Sequence, residues 1–149
     1  SGCCGRMGRA IASLALQDGA FSIVAALEAA GHEAIGRDLG LALGQPSDVG
    51  VKVGADARAA IAHGDVVVEF TTPDVTVAHV QLARELRKPM VIGTTGLSDA
   101  QVETVRLASG AIPVVLSPNM SLGVNVLFEL ARTAARRGRV NMAMRSPSR

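Results

Sequence analysis

Glycines at positions 2, 5 and 8 give the start of the chain the spacing of a phosphate-binding turn. The apolar residues Ile11, Leu14 and Ala15 follow at helical spacing, so the turn would lead directly into a helix. Free backbone N–H groups and the positive end of the helix dipole bind a pyrophosphate in such a turn. A glycine cluster alone is a weak signal, because glycines also make ordinary turns. A buried parallel strand normally precedes the turn, and since almost nothing precedes Gly2, we expect that first strand to be missing.

Glu28 stands about 20 residues beyond the glycines, at the end of a strand predicted over residues 22–27. An acidic side chain at this place in a dinucleotide-binding fold accepts hydrogen bonds from the adenosine ribose hydroxyls. A solvated carboxylate at a strand end is the alternative interpretation, and Glu28 by itself does not decide between the two.

Three segments rich in small and hydroxyl-bearing residues follow three further predicted strands. They are Glu-Phe-Thr-Thr-Pro at 69–73, Gly-Thr-Thr-Gly at 93–96 and Ser-Pro-Asn-Met-Ser-Leu-Gly-Val-Asn at 117–125. In open α/β sheets, ligands bind beyond the carboxyl ends of the strands. We therefore expect these segments and the glycine turn to meet in one crevice.

Short β-branched runs alternate with helical patterns along the chain. Strands are predicted over residues 22–27, 51–53, 66–70, 90–92 and 112–116, and helices over residues 6–17, 55–62, 74–84, 98–108 and 122–136. This alternation predicts an α/β fold, a Rossmann-like doubly wound parallel sheet with helices on both faces. The first strand lies in the middle of such a sheet, so its absence would leave two neighbouring strands without partners. We expect the chain to be unstable in isolation.

The charge and the aromatic content argue against a nucleic-acid partner. The formal net charge is +2, but six of the fifteen basic residues follow the last acidic residue, Glu129. The remaining nine basic residues are outnumbered by thirteen acidic ones, so the body of the chain is mildly acidic. With three Phe and no Trp or Tyr, the chain also lacks the rings on which nucleic-acid bases stack.

The two cysteines, Cys3 and Cys4, are adjacent and cannot easily form a disulfide with each other. Their spacing matches no metal site, so we expect no bound metal. The sequence shows no secretory leader and no apolar run of the ~18 residues needed to span a bilayer. These features predict a cytoplasmic protein without a membrane partner.

Four motifs, taken together in their order and spacing, closely resemble the bacterial dihydrodipicolinate reductases, also called 4-hydroxy-tetrahydrodipicolinate reductases. They are Gly-Arg-Met-Gly at 5–8, Phe-Thr-Thr-Pro at 70–73, Gly-Thr-Thr-Gly at 93–96 and Pro-Asn-Met-Ser-Leu-Gly-Val-Asn at 118–125. The combination is highly specific, although no single motif is. The resemblance implies an NAD(P)-binding domain over residues 1–137 that is incomplete at its amino end.

The resemblance also implies an activity, the reduction of 4-hydroxy-tetrahydrodipicolinate to tetrahydrodipicolinate by NADH or NADPH in lysine and diaminopimelate biosynthesis. The substrate would be a small molecule, and full-length relatives would be homo-oligomers, whereas we do not expect this shorter chain to assemble. Thr95 would contact the substrate as well as the cofactor. The implied cofactor-binding residues are Gly2, Cys3, Cys4, Gly5, Arg6, Met7, Glu28, Phe70, Thr71, Gly93, Thr94, Thr95, Ser117, Pro118, Asn119 and Met120. These residues would orient the nicotinamide rather than act as acids or bases.

Two departures from the family's pattern change these expectations. Ala29 follows Glu28 where many relatives have arginine, so no guanidinium is available there for a 2′-phosphate, and we expect NADH to bind at least as well as NADPH. The family's C-terminal substrate domain, with its paired-histidine motif, catalytic lysine and Ser-Gly-Thr loop, is absent from this sequence, so we expect no catalytic residue here. Residues 138–149 are predicted to form an unstructured basic tail, which a fragment boundary or a shifted reading frame would explain.

Other interpretations remain open at this point. A catalytically silent dinucleotide-binding fragment is the main alternative. An unrelated Rossmann dehydrogenase, such as an amino-acid or semialdehyde dehydrogenase, would share the glycine turn but not the three later segments. The histidines His32, His63 and His79 occur singly, and we expect ordinary surface or capping roles for them.

Overall fold

Helices and strands alternate along the chain in the computed structural model, which describes residues 1–143 and the side chains of residues 1–136. The helices are α1 (Arg6–Ala15), α2 (Leu39–Ala42), α3 (Ala57–His63), α4 (Pro73–Leu86), α5 (Asp99–Ala108) and α6 (Leu122–Ala143). The strands are β1 (Ala26–Leu27), β2 (Val53–Gly54), β3 (Val67–Glu69), β4 (Met90–Ile92) and β5 (Val114–Leu116). This arrangement confirms the α/β fold class.

The strands form two parallel sheets. In the first sheet β1 pairs with β2, and Ala26 lies opposite Val53. In the second sheet the order is β3-β4-β5, and Met90 of the central strand lies opposite Val67 on one side and Val114 on the other. Parallel neighbours need a crossover connection, which α4 supplies between β3 and β4 and α5 supplies between β4 and β5.

Each sheet is associated with its own group of buried apolar residues. The group around β3-β4-β5 contains Ile61, Val67, Val80, Ala83, Met90, Ile92, Val105, Ala108 and Ile112. The group around β1-β2 contains Cys3, Ala26, Ala34, Leu39, Ala42 and Val53. Aliphatic residues make up most of both groups, in keeping with the near absence of aromatic residues from the sequence.

Local capping chemistry fixes most helix starts close to their predicted positions. Ser98 and Gln101 form a capping box in which the Ser98 side chain accepts from the Gln101 amide and the Gln101 side chain accepts from the Ser98 amide. Asp56 caps α3 by accepting a hydrogen bond from the Ala59 amide at 3.0 Å. Pro73 occupies the first position of α4, where its missing N–H costs nothing, so this helix begins one residue before its predicted start.

Among the elements before α6, β1 and α2 differ most from the sequence prediction. The strand predicted over residues 22–27 is regular only at Ala26–Leu27, because its partner β2 is equally short and its other edge has no neighbouring strand among the described residues. The helix α2 was not predicted, since four residues are too few to show a helical period. Asp38 starts this helix by accepting a hydrogen bond from the Gly40 amide at 2.7 Å.

The chain divides into two compact units, Ser1–Ser117 and Pro118–Arg149, whereas the sequence predicted one domain over residues 1–137. At the start of the second unit, the Asn125 side-chain amide donates to the carbonyl oxygens of Asn119 and Ser121, at 3.0 and 2.9 Å. These bonds hold the turn that enters α6.

The helix α6 extends beyond the end predicted at residue 136. It continues to Ala143, so residues 138–143 are helical where the sequence predicted an unstructured tail. The rest of that predicted tail, residues 144–149, lies outside the described residues. Within the described part of the chain, no helix has both the length and the apolar character required to cross a membrane.

The start of the chain is hydrogen-bonded to both sheets. The Gly2 amide donates to the Leu27 carbonyl of β1 at 2.9 Å. The Ser1 amino group donates to the Val68 carbonyl of β3 at 2.7 Å, and the Phe70 amide donates to the Ser1 carbonyl at 3.3 Å. Ser1 and Gly2 therefore lie between β1 and β3 and bond to both, as the last residues of a central strand would.

An apolar groove of about 450 Å³ continues from Ser1 between β1 and β3. Among the described residues, no strand lies in it. Its lining includes Ile11, Ala12, Phe21, Val24, Ile61 and Val67. Phe21 and Val24 remain 63% and 45% exposed, which large apolar residues of a closed core would not be. The groove thus lies where a strand leading into Ser1 would pair with both sheets.

We expect an added strand to stabilise this fold. Extending the chain before Ser1 by a valine- and isoleucine-rich segment of about five residues, the usual strand length, should fill the groove and pair with both sheets. Burying each such side chain contributes about 1.5–3 kcal/mol. Ordering each residue costs about 1–2 kcal/mol. At the midpoints of these ranges five residues contribute a net ~4 kcal/mol, so the free energy of unfolding, measured by urea denaturation, should rise by that order.

A Gly-Ser extension of the same length is the control for this experiment. Because it has no apolar side chains to bury, it should leave the urea midpoint unchanged. Equal midpoints for the two extensions would show that the groove does not accept a strand.

Candidate functional site

The glycine turn packs directly against the segment that follows β3. Gly2 has a φ of +71°, and a Cβ atom there would collide with the carbonyl oxygen of Phe70. A Cβ atom on Gly8, in the first turn of α1, would collide with the carbonyl oxygen of Gly2. Both positions require glycine, the first for its backbone conformation and both for the close approach of main chain to main chain.

The amino end of α1 is open to a ligand. Its N-cap is Gly5, and no side chain caps the helix. The first backbone N–H groups of a helix have no partner within it, so those of Arg6 and Met7 are available to an anion. Both of these residues are exposed. This is the arrangement that the glycine spacing predicted.

Glu28 follows β1 and supports the glycine turn. Its Oε2 accepts a hydrogen bond from the Cys4 amide at 2.9 Å, and its Oε1 accepts one from the Ala29 amide at 2.9 Å. The carboxylate is therefore placed beside the turn rather than directed away from it into solvent. Its predicted contact with a ribose remains a prediction, but the interpretation as an isolated surface carboxylate is not supported.

Cys3 and Cys4 are free thiols whose sulfur atoms lie 3.8 Å apart. Burial, reinforced by the neighbouring Cys4, raises the pKa of the Cys3 thiol to about 12. Ligand atoms of Cys3, Cys4 and Glu28 lie within 4.8 Å of one another, which is close enough for a metal ion. However, metals bind the thiolate, and the raised pKa disfavours that form of Cys3 at neutral pH. The expectation of no metal therefore remains a prediction.

The segments after β3 and β4 are joined by hydrogen bonds and by packing. The Thr71 amide donates to Thr94 Oγ1 at 3.1 Å, and the Gly93 amide donates to the Glu69 carbonyl at 3.0 Å. The ring of Phe70 lies on Gly93 so closely that a Cβ atom at position 93 would overlap it. Gly93 is therefore needed for the two segments to lie side by side.

Behind these segments lies a buried polar cluster that the sequence analysis missed. Glu69 is fully buried, and its Oε2 lies 2.8 Å from Nδ1 of His79. The hydroxyl group of Thr71 donates to its other oxygen, Oε1, and the hydroxyl oxygen of Thr76 lies 3.4 Å from the same atom. The expected surface or capping role is wrong for His79, which is only 7% exposed. The available signal was an acidic residue inside an apolar run, Val-Val-Val-Glu-Phe at 66–70.

The charge state of Glu69 follows from these contacts. Burial alone would raise the pKa of its carboxyl group, but hydrogen bonds from His79 and Thr71 outweigh it, so the pKa lies below its ordinary value. Glu69 is therefore ionised at neutral pH and can only accept hydrogen bonds. It follows that Nδ1 of His79 carries the proton shared in this pair.

The first unit thus brings together most of the predicted site residues. The turn at Gly2 contacts Phe70 and Thr71, and these contact Gly93 and Thr94. Farther along that edge, the Ser117 amide donates to the Ile92 carbonyl at 3.1 Å, and Thr95 follows Thr94 as an exposed residue. Pro118, Asn119 and Met120 belong to the second unit, so their predicted place beside the nicotinamide stays a prediction.

A glycine turn that enters a helix at the carboxyl edge of a parallel sheet, with an acidic residue closing the next strand, defines a Rossmann-like dinucleotide-binding domain. The particular family follows from comparison with known proteins. The family model described as "Dihydrodipicolinate reductase, N-terminus" matches residues 1–120. The chain belongs to this family, as its four motifs predicted.

Curated relatives named 4-hydroxy-tetrahydrodipicolinate reductase support the same assignment. The protein of Aromatoleum aromaticum is 46% identical over 136 residues, which cover 91% of this chain and 49% of the relative. The protein of Ralstonia nicotianae is 40% identical over 136 residues, covering 91% of this chain and 51% of the relative. The chain therefore spans about half the length of the curated relatives it matches.

Solved structures give a consistent result. Dipicolinate-bound dihydrodipicolinate reductase from Paenisporosarcina sp. TG-14 matches with a TM-score of 0.70 and 26% identity, over 88% of this chain and 50% of that chain. An amine dehydrogenase from Mycobacterium smegmatis matches with a TM-score of 0.54 and 28% identity, over 60% of this chain and 27% of that one. The match to the reductase thus covers more of this chain than the match to the amine dehydrogenase does.

Gly8→Ala should destabilise the chain by about 1–3 kcal/mol, the usual cost of forcing an added methyl group into packed atoms. The new Cβ atom would meet the backbone of Gly2, which cannot rotate away as a side chain could. Gly19→Ala is the matched control, because no atom lies within 4 Å of a Cβ there. Urea denaturation of both variants tests this, and equal stabilities would show that the turn is less tightly packed than described.

Glu69 should make the stability of the chain depend on pH. In the folded chain the pKa of Glu69 lies below its ordinary value. Its stabilising contribution is therefore complete when the pH is above the ordinary pKa, and it is lost as the pH falls through the pKa of the folded chain. Glu69→Gln should lower the free energy of unfolding at neutral pH by about 1–3 kcal/mol and flatten its decline in acid. Urea denaturation at stepped pH measures both effects. Glu33→Gln, at an exposed position, is the control. If the free energy of unfolding of Glu69→Gln changed with pH in parallel with that of Glu33→Gln, the prediction would be contradicted.

Proposed function

We propose that this chain is the cofactor-binding part of an enzyme that reduces 4-hydroxy-tetrahydrodipicolinate to tetrahydrodipicolinate with NADH or NADPH. Membership of the dihydrodipicolinate reductase family is the observation that carries this proposal. It implies a pyridine nucleotide cofactor, and it would place the reaction in lysine and diaminopimelate biosynthesis. A chain that covers about half of its relatives is proposed to supply cofactor binding rather than the whole reaction.

The glycine turn fits the pyrophosphate of such a cofactor. Gly2 and Gly8 bring main chain against main chain with no room for a side chain, and the uncapped start of α1 offers amide groups to an anion. Residues 2–7 would hold the pyrophosphate. Glu28, already fixed beside the turn by the Cys4 amide, would accept hydrogen bonds from the adenosine ribose.

The segments after β3 and β4 would hold the other end of the cofactor. Phe70, Thr71, Gly93 and Thr94 lie together at the edge of the sheet. Residues 117–120 are proposed, from the family resemblance alone, to bind the cofactor as well. The bound nicotinamide supplies a hydride. The residues of this chain would orient the ring through backbone groups and packing, a positioning effect that needs no acid or base. Thr95, which is exposed, would contact the substrate.

A direct test is titration of the purified chain with NADH, followed by fluorescence. Saturable binding that Gly8→Ala abolishes and Gly19→Ala preserves would support the proposal. Binding without NADH consumption when 4-hydroxy-tetrahydrodipicolinate is added is the result expected of a part that supplies cofactor binding alone. NADH consumption by the chain would exclude the alternative function, a silent binding module. A folded chain, judged by circular dichroism, that binds no NADH at millimolar concentration would overturn the cofactor-binding proposal.

We expect NADH to bind at least as tightly as NADPH, because Ala29 offers no guanidinium to a 2′-phosphate. Ala29→Arg should improve NADPH affinity about tenfold, since a hydrogen bond to a charged group contributes about 1.5–3 kcal/mol. Fluorescence titration with both nucleotides measures the change. Ala30→Arg adds the same charge one residue farther on and is the control. Tenfold tighter NADPH binding by the unaltered chain would contradict the expected preference.

The remaining proposals concern location and partners. Both cysteines are free thiols, which is usual in a reducing compartment, and we place the protein in the cytoplasm on that basis. The proposed partner is a small-molecule substrate rather than a nucleic acid or a membrane. The full-length relatives are proposed to be homo-oligomers, and this shorter chain is not expected to assemble.

A further inference from the structure

Four polar residues are buried together at the carboxyl end of β3 and β4. Glu69 and Thr76 are fully buried, and Thr94 and His79 are 4% and 7% exposed. Replacing a buried charged pair by apolar residues of similar size is often neutral or stabilising, so stability alone does not explain such a cluster. The apolar groups described above show that this chain fills its interior with valine, isoleucine and alanine elsewhere. The position of the cluster therefore suggests a role in the site.

The hydrogen bonds of the cluster connect three elements. Glu69 ends β3, Thr76 and His79 lie on one face of α4, and Thr94 follows β4. Oε2 of Glu69 accepts from Nδ1 of His79 at 2.8 Å, and its other oxygen accepts from the hydroxyl group of Thr71. These bonds fix the end of β3 to α4, and they hold the short segment that joins the two.

Thr94 connects the cluster to the segment after β4. Its Oγ1 accepts a hydrogen bond from the Thr76 hydroxyl at 2.8 Å and another from the Thr71 amide at 3.1 Å. This oxygen atom is thus one of the points at which the segment after β3 and the segment after β4 are joined. Thr76 holds that atom in place. The hydroxyl oxygen of Thr76 lies 3.4 Å from Oε1 of Glu69. A change at Glu69, Thr76 or His79 should therefore alter both segments although none of the three lies on the exposed edge.

We infer that Glu69, Thr76 and His79 form a positioning unit that fixes Thr71 and Thr94, and with them the two segments proposed to hold the nicotinamide end of the cofactor. This inference rests on the proposed function only for the identity of the ligand. The three residues act through Thr71 and Thr94, and they take no part in the hydride transfer. Backbone groups that must orient a flat ring need this support, since a displacement of about 1 Å can cost a hundredfold in rate.

The first test needs no ligand and uses hydrogen exchange of backbone amides, followed by NMR. Thr76→Val keeps the shape of the side chain but removes the hydroxyl group, so the Thr71 amide should exchange at least about tenfold faster. The amide of Val105, which lies in the apolar core, should be unaffected. Thr104→Val, a half-buried change on α5 that removes a hydroxyl group outside the cluster, is the matched control and should alter neither amide. Unchanged exchange at Thr71 in Thr76→Val would overturn the inference.

The second test asks whether the effect is confined to one end of the cofactor. Dissociation constants are measured for NADH and for ADP-ribose, which lacks the nicotinamide. His79→Leu should weaken NADH binding about tenfold and leave ADP-ribose binding unchanged. His79→Asn, which can place a side-chain N–H near the position of Nδ1, should restore most of the NADH affinity. Equal weakening for both ligands, or no recovery in His79→Asn, would show a merely structural role and overturn the inference.

The two tests separate this inference from the proposed function. If the unaltered chain binds neither NADH nor ADP-ribose, the proposed function fails, while the exchange of the Thr71 amide still decides whether the unit fixes the two segments. Should His79→Leu fail to fold, Thr76→Val provides the same comparison of NADH with ADP-ribose without changing the volume of the side chain.

Discussion

The site depends on the hydrogen bonds that join the start of the chain to both sheets. The Gly2 amide bonds to Leu27 in one sheet, while Ser1 exchanges hydrogen bonds with Val68 and Phe70 at the end of a strand in the other. The turn that follows is therefore held at a fixed place relative to the segments after β3 and β4. Without these bonds the glycines could still form a turn, but nothing would place it beside Phe70 and Thr94.

The same bonds explain why glycine is required at separate places along the chain. Gly2 lies against the carbonyl group of Phe70, and the ring of Phe70 lies against Gly93. The turn therefore touches the segment after β3, and that segment touches the segment after β4, with one glycine in each contact. This close approach brings backbone groups of all three to the edge of the sheet. Backbone amides and carbonyls have fixed directions, which suits the orientation of a planar ring better than flexible side chains do.

Local patterns predicted what depends on local chemistry. The bounds of β4 match the prediction, and α5 begins one residue after its predicted start, directly behind its cap, Ser98. Strand runs and capping residues can be predicted because they act over a few neighbouring positions. The shortening of β1 could not be predicted in this way, since the regular length of a strand depends on partners distant in sequence. The lack of regular strand structure before Ala26 is explained only when the groove beside it is known.

The buried cluster shows the same limit for the site. An acidic residue within an apolar run, Glu69, is visible in the sequence, but whether it is a buried ion or a residue at an exposed edge depends on what faces it. His79 lies ten residues away and reaches Glu69 only because α4 folds back on β3. A single histidine on an amphipathic helix gives no sign of that contact. A surface or capping role is the usual expectation for such a residue, and for the buried His79 it is wrong.

The energetics of Glu69 connect the fold to the site. An ionised carboxylate buried without partners would cost several kcal/mol, so its hydrogen bonds must form whenever this part of the chain is folded. Those bonds come from Thr71 and His79, with Thr76 close by, and the Thr71 amide in turn reaches Thr94. The requirement to satisfy one buried charge thus determines the positions of residues at the edge where the cofactor is proposed to bind. An apolar residue at position 69 could fill the same space in the core, but it would form no hydrogen bonds to orient its neighbours.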